Sequence, residues 1–266
     1  MIRVGIGGWT FPPWRGGAFY PPGLPQAREL EYATSHVSAI EINATYHRLQ
    51  KPESFARWAK VAPAGFKFAV KASRFCCNRK SLAGAGDSIA GFLDQGIAEL
   101  GDKLGPILWQ LMPTKRFDAD EIGAFLALLP RSHAGLPLRH AIEARHESFR
   151  DSRFVDLARA AGIAIVFADS AKHPAFADQT ADFIYARLQD AREEEPTGYD
   201  GVSLDRWAAT ARIWAEGGAP EDLPYVMPPQ PQPSGSRDVY IFMINGAKVR
   251  APAAAQALLA RLGTSA

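Results

Sequence analysis

Eight short apolar runs recur along the chain, and nearly every one closes on a polar or charged side chain: Trp9, Glu41 with Asn43, Lys71, Gln110, Glu143 with Arg145, Asp169, Arg187 and Asn245. Between the runs lie stretches of helical rather than two-residue periodicity, and strands alternating with helices specify a parallel sheet covered by helices. Eight such units predict an α/β fold, a TIM-like (β/α)8 barrel whose parallel strands end together at one equipped mouth. The 266 residues suit one barrel domain spanning 1–266 better than two small domains.

The strand-like segments are 2–8, 39–43, 66–72, 106–112, 139–145, 163–169, 183–188 and 239–245. Helices are expected over 25–36, 53–61, 118–129, 151–161, 204–215 and 253–262, and another runs from Asp87, read as its cap, toward Lys103. Segment 73–86 reads as loop, and the stretch between Ser170 and Asp182 has room only for a degenerate crossover after strand six. The Pro-rich segment 227–236 lacks regular backbone donors and reads as an exposed loop.

Successive side chains of a strand point to opposite faces, which turns these runs into a map of the barrel interior. In Ile40-Glu41-Ile42-Asn43 the isoleucines meet the outer helices while Glu41 and Asn43 point inward. Phe66, Phe68 and Val70 face outward and leave Lys71 inside; Ile142-Glu143-Ala144-Arg145 turns Glu143 and Arg145 inward together. Barrel interiors are ordinarily filled by branched apolar layers. Burying a charge costs several kcal/mol unless it is paired or solvated, so these groups must form a connected network or an open pocket.

Five ordered motifs carry a family resemblance: G-G-W-T-F-P-P-W-R-G-G-A-F-Y-P at 7–21, I-E-I-N-A-T-Y-H-R at 40–48, F-K-F-A-V-K at 66–71, L-G-P-I-L-W-Q-L-M-P at 104–113 and I-E-A-R-H at 142–146. Together they resemble the YecE-like family, also called domain of unknown function 72, across essentially the whole chain. The resemblance implies a TIM-like barrel and brings no established activity with it. After Lys71 that family often carries a Thr-His pair where this chain has Arg74-Phe75-Cys76-Cys77-Asn78. Near the C-terminus only Asn245 of an Asn-Asp pair is retained. The resemblance therefore carries over no role that needs that histidine or second acid.

The candidate catalytic residues are Glu143 first, then Glu41 and Asp169, since neighbouring charges and burial can separate carboxyl pKa values for acid and base work. The competing reading is a salt-bridge web with Lys71, Arg145 and Arg187 that lines the mouth. These three cations equally suit recognition of an anionic group, and a desolvated Lys71 beside other cations is also a conceivable Schiff-base amine. Trp9, Asn43, Tyr46, Gln110, His146 and Asn245 complete the candidate substrate-binding set, whereas Phe11, Phe19 and Tyr20 read as a plug that rigidifies one end of the barrel. Three cations against three carboxylates give a nearly balanced mouth.

Cofactor signals are sparse. The run Gly5-Ile6-Gly7-Gly8 completes neither a dinucleotide fingerprint nor a P-loop, and no H-E-x-x-H or paired C-x-x-C occurs. A carboxylate-held divalent metal stays open because oxygen-ligand sites leave little trace in sequence. Adjacent Cys76 and Cys77 fit neither a redox motif nor a disulfide framework. Thirty basic residues against 28 acidic give a net charge of +2 and little general attraction to nucleic acid. No apolar run reaches the roughly 18 residues of a membrane span, and no leader precedes the first strand, so a cytoplasmic protein is expected. The function expected is a hydrolase, lyase or isomerase acting on a small anionic or polyhydroxylated substrate at the C-terminal mouth. The alternatives are a metal-dependent nucleic-acid phosphodiesterase or repair enzyme and a non-catalytic binding barrel.

Overall fold

A computed structural model of the chain describes residues 1–229, 235–244 and 246–263. The strands form in chain order around a ring: β1 (Ile2–Gly7), β2 (Ala39–Ile42), β3 (Lys67–Lys71), β4 (Leu104–Gln110), β5 (His140–Glu143), β6, β7 (Phe183–Leu188) and β8 (Asp238–Met243). Strand β6 is split, with Ala164–Ile165 paired to β5 and Phe167–Asp169 paired to β7. The Val166 amide donates to the Ile142 carbonyl at 2.9 Å and carries the ladder across the break. Strand β8 pairs in parallel with β1, Ile2 opposite Val239, so the ring closes as a parallel barrel. Closure gives the other seven barrel strands a neighbour on each side, while each half of β6 pairs on one side only.

Two-residue alternation sorts the side chains into two cores. Ile40, Ile42, Phe68, Val70, Ile107, Trp109 and Ile142 face the helices. Ala39, Ala69, Leu108, Ala141, Ala164, Val166, Phe183, Tyr185, Tyr240 and Phe242 fill the barrel. The filling is lopsided: aromatic rings from β7 and β8 reach across the axis, and alanines on β2, β3, β5 and β6 make room for them. Gly5 belongs to the same arrangement, because a Cβ there would lie 2.0 Å from the Ala39 carbonyl oxygen. The N-terminal end is closed by paired charges. Arg3 and Arg139 hold opposite oxygens of Asp238 at 3.2 and 2.7 Å, and their guanidiniums sit over Tyr240 and Phe183.

The helices are α1 (Glu29–Thr34), α2 (Ala44–His47), α3 (Pro52–Val61), α4 (Arg74–Cys77), α5 (Gly86–Leu93), α6 (Ala119–Ala127), α7 (Ser152–Ala161), α8 (Gly201–Ala215) and α9 (Ala251–Leu262). Asp118 and Asp151 cap α6 and α7 by accepting from the Glu121 and Arg153 amides, and the 170–182 crossover contains no helix. Four expectations need correction. The helix expected over 25–36 opens as a 3-10 turn, Gln26–Arg28, before α1. The segment read as loop after Lys71 contains α4, begun by Ser73, whose hydroxyl accepts from the Phe75 amide at 3.3 Å.

Asp87 lies inside α5 rather than at its cap. That helix stops at Leu93 because Gly96 turns left-handed, at φ +106°, where its missing Cβ lets Pro52 approach, and a 3-10 stretch, Ile97–Lys103, follows. A two-residue antiparallel ladder before β5, Ser132–His133 with Leu136–Pro137, was not anticipated. In the Pro-rich segment the described residues 227–229 and 235–236 carry neither helix nor strand, and the rest lies outside the described residues.

Candidate functional site

Four strands deliver their last inward-facing polar residues to the C-terminal mouth, and these residues bond to one another. Glu41 of β2 and Glu143 of β5 are fully buried, and Arg187 of β7, 2% exposed, lies between them. The Arg187 guanidinium grips Glu41 with two nitrogens, Nε to Oε2 and Nη2 to Oε1, both at 3.0 Å. Its Nη1 donates to Glu143 Oε2 at 2.6 Å. Arg145 Nε donates to Glu143 Oε1 at 2.6 Å, and Gln110 Nε2 to Oε2 at 3.0 Å. The Tyr185 hydroxyl, reaching across from β7, donates to Glu41 Oε2 at 2.8 Å. Every carboxylate oxygen of the pair is thus occupied, which a buried charge requires.

Electrostatics follow from this wiring. Burial pushes the Glu143 carboxyl up, but Arg187 and Arg145 outweigh it and, with the Gln110 hydrogen bond, hold it at about 2. Arg187 is held above its ordinary value, because the two glutamates outweigh its loss of water. Lys71, at the end of β3, moves the other way: burial and then Arg187 lower its ammonium from 10.5 to about 8. Its Nζ has no hydrogen-bond or ion-pair partner among the described residues and instead lies 4.3 Å from the centre of the Tyr46 ring. That ring favours the ammonium by about 1 kcal/mol. The lowering amounts to about 3 kcal/mol, so desolvation and the neighbouring guanidinium prevail.

The lid over Lys71 is itself fixed. Thr45 on α2 donates to the Lys71 carbonyl at 2.7 Å, and Asn78, just past α4, donates to the Tyr46 hydroxyl at 2.9 Å. The loop-to-helix turn after β3 therefore serves the mouth, although sequence periodicity gave it no role.

The other candidates divide between the rim and elsewhere. Asn43 stands at the end of β2, its amide donating to the Glu41 carbonyl at 3.2 Å. His146 follows β5 and spends its Nδ1 capping a 3-10 turn, accepting from the Ser148 amide at 3.1 Å. Trp9 packs edge-on against Trp58 and lines a groove of about 640 Å³ with Arg48 and Arg57 beside α3. A larger groove, about 770 Å³, lies by Arg139 and Asp182, far from the mouth network. Asn245 lies outside the described residues.

Asp169 does not join the network. Ala164 and Val166 fill the barrel, so two-residue alternation turns Phe167 and Asp169 outward, and the Phe167 ring meets Trp207 and Trp214 of α8. Asp169 faces a groove of about 300 Å³ with Asp190, Tyr199 and Arg206, where burial and then Asp190 raise its carboxyl to about 6. Its departure overturns the expected charge balance. Glu41 and Glu143 now face Lys71, Arg145 and Arg187, which leaves the mouth one positive charge in excess.

Residues that the sequence did not single out also bear on the mouth. Tyr185 could have been found, since it lies two positions before Arg187 on the same face of one strand. Lys248, over the rings of Phe11 and Trp14, has its ammonium lowered by burial and feels the charge of Glu41. His173, from the degenerate crossover, is lowered by burial and by Arg145; it lies in a loop that has no periodicity to read. Of the residues read as an aromatic plug, Phe19 and Tyr20 are buried and Phe11 is partly buried, packed edge-on against the buried Trp14. Cys76 and Cys77 are buried free thiols, both pushed up by desolvation, Cys76 to about 12.

The carboxylate-held metal ion kept open by the sequence finds no fitting donor set. Glu41 and Glu143 give their oxygens to arginine, and among the described residues no three His, Cys, Asp or Glu side chains converge as a metal would require. Among the described residues no helix is long and apolar enough to cross a membrane.

The family model for the protein of unknown function DUF72 matches residues 3–266. The chain belongs to the DUF72 family. The UPF0759 protein YecE of Escherichia coli K12 is 28% identical over 152 residues, which cover 56% of this chain and 50% of that one. The match thus spans about half of that relative. A DUF72 family protein from Enterococcus faecalis V583 superposes with a TM-score of 0.75 at 17% identity, covering 100% of this chain and 97% of that one. Another from Thermotoga maritima gives 0.71 at 20% identity, covering 97% and 96%. At such identities these likenesses establish the fold that DUF72 members share.

Proposed function

We propose that this DUF72 protein is an enzyme acting on a small anionic substrate at the C-terminal mouth of its barrel. The observation that carries the reading is the unequal use of charge there. Two buried glutamates are saturated by Arg187, Arg145, Tyr185 and Gln110, while Lys71 and Arg145 keep part of their surface toward solvent. Buried ion pairs are poor sources of stability, so an elaborate one at the active face of this architecture fits the fixing of guanidiniums for recognition.

In this reading Glu143 and Glu41 position the arginines. A carboxylate held at about 2 is a weak acceptor at neutral pH. The anion rests against Arg145 and Lys71, with Tyr46, Asn43 and His146 at the rim, and Lys71 is the proton-carrying group best matched to neutral pH. The test is to screen small phosphate esters and hydroxy or keto acids for a rise in melting temperature and for conversion followed by NMR. Arg145→Met should raise KM or Kd at least tenfold for an anion that the unaltered protein recognises. Binding without conversion would favour a non-catalytic barrel, and no response to any anion would remove the proposal.

A further inference from the structure

We propose that the Lys71 amine is a nucleophile that forms an imine with an aldehyde or ketone group of the anionic substrate. The inference rests on the anion-binding reading of the mouth and narrows its substrate to a carbonyl compound carrying a phosphate or carboxylate. A lysine kept only as a cation is usually paired with a carboxylate or left in open water. Lys71 has neither: Glu41 and Glu143 are consumed by Arg187 and Arg145, and the Tyr46 ring covers one side of Nζ.

The groups that act on Nζ are Glu41 from β2, Glu143 from β5, Arg145 just beyond that strand and Arg187 from β7. Cys77 of α4, which feels the Lys71 charge in turn, is a buried thiol that stays protonated. The two guanidiniums keep their charge at any working pH, so they continue to oppose a third positive charge beside them. The same guanidiniums suit the substrate's anionic end. Thr45 and Asn78 hold α2 and its tyrosine in place, so the amine is presented in a fixed setting.

The step balances with water and solvent protons alone. Neutral Nζ adds to the carbonyl carbon, forming the C–N bond as the carbonyl π pair moves to oxygen, which takes a proton while nitrogen releases one. The hydroxyl of this carbinolamine then leaves with another proton as water, and the nitrogen lone pair closes the C=N bond of the iminium. The positive nitrogen can withdraw electrons from the neighbouring carbon, the feature that makes such adducts useful for proton removal or carbon–carbon cleavage.

The probe is glyoxylate, with acetaldehyde as the uncharged comparison, each trapped by cyanoborohydride and located by peptide mass mapping of the full chain. At pH 7.5 an amine titrating at about 8 is neutral roughly two-hundredfold more often than an ordinary lysine. Lower intrinsic nucleophilicity offsets part of that gain. Glyoxylate should label Lys71 at least about tenfold faster than exposed Lys51, Lys60, Lys80 and Lys172, with a rate that levels off above about pH 8. Arg145→Met should slow labelling by glyoxylate more than labelling by acetaldehyde, because both reactions lose the guanidinium that opposes the ammonium and only glyoxylate also loses its counter-charge.

Labelling of Lys71 no faster than that of the surface lysines, by either aldehyde, would overturn the imine. If anions still raised the melting temperature in an Arg145-dependent way, the anion-binding reading would survive that result. Fast Lys71 labelling by acetaldehyde with no preference for glyoxylate would keep the nucleophile and remove the anionic substrate.

Discussion

Replacing Glu143 by Gln keeps the shape of the side chain and removes its charge from the middle of the buried network. The expected cost comes from two routes. The carboxyl titrates at about 2 in the folded protein against an ordinary 4.5, a difference equivalent to about 3 kcal/mol of folded-state stability at neutral pH. Removing one member of a buried pair leaves Arg187 and Arg145 without their counter-charge and costs about 3–5 kcal/mol in comparable settings. The sign of the pH dependence is fixed: a depressed carboxyl stabilises fully above its unfolded value and loses that contribution as pH falls through the folded one. The gap between the unaltered protein and Glu143→Gln should therefore be about 3–4 kcal/mol at pH 7 and shrink by about 2 kcal/mol by pH 3. Urea unfolding at the two pH values measures it. A gap under about 1 kcal/mol at pH 7, or one that does not narrow on acidification, would mean that the carboxylate is not held as the bonds to Arg187 and Arg145 imply.

Two further substitutions test the rest of the layout. Asp169 has a raised carboxyl, about 6 against 3.8, so its ionisation costs folded-state stability as pH rises between those values. Asp169→Asn should stabilise by about 1–2 kcal/mol at pH 7.5, discounted for partial exposure, and have no effect near pH 3; thermal melts at both pH values decide it, and destabilisation at pH 7.5 would show that the charge is used. Gly5→Ala places a methyl group 2.0 Å from the Ala39 carbonyl oxygen, a backbone clash that a side-chain rotation cannot relieve. It should cost about 3 kcal/mol or more or prevent soluble folding, and a melting temperature unchanged from the parent would refute the close contact of β1 with β2.

Much of the barrel was legible because its signal is local. Two-residue alternation needs only neighbouring positions, and it placed Glu41, Lys71 and Glu143 on the inner face of their strands. The same rule, counted back from Asp169 through Ala164 and Val166, turns that carboxylate outward; its position at the end of a strand was a weaker guide than its parity. Gly96 and Ser73 show a different limit. The left-handed turn that ends α5 is tied to the approach of Pro52, and the short α4 is too brief to show a period.

From the sequence alone came the count of strands, their parallel order and the inward face on which polar residues would meet, since each depends on periodicity within a few residues. Tertiary structure alone decided the partners. Glu41 meets Tyr185 and Arg187 across separations of 144 and 146 positions, and only after the ring closes do β2, β5 and β7 bring their ends to one mouth. Closure consumed both glutamates in binding arginine and left Lys71 without a carboxylate partner among the described residues. That division arises because pairing depends on distances between strands, while alternation fixes only the direction in which each side chain leaves its own.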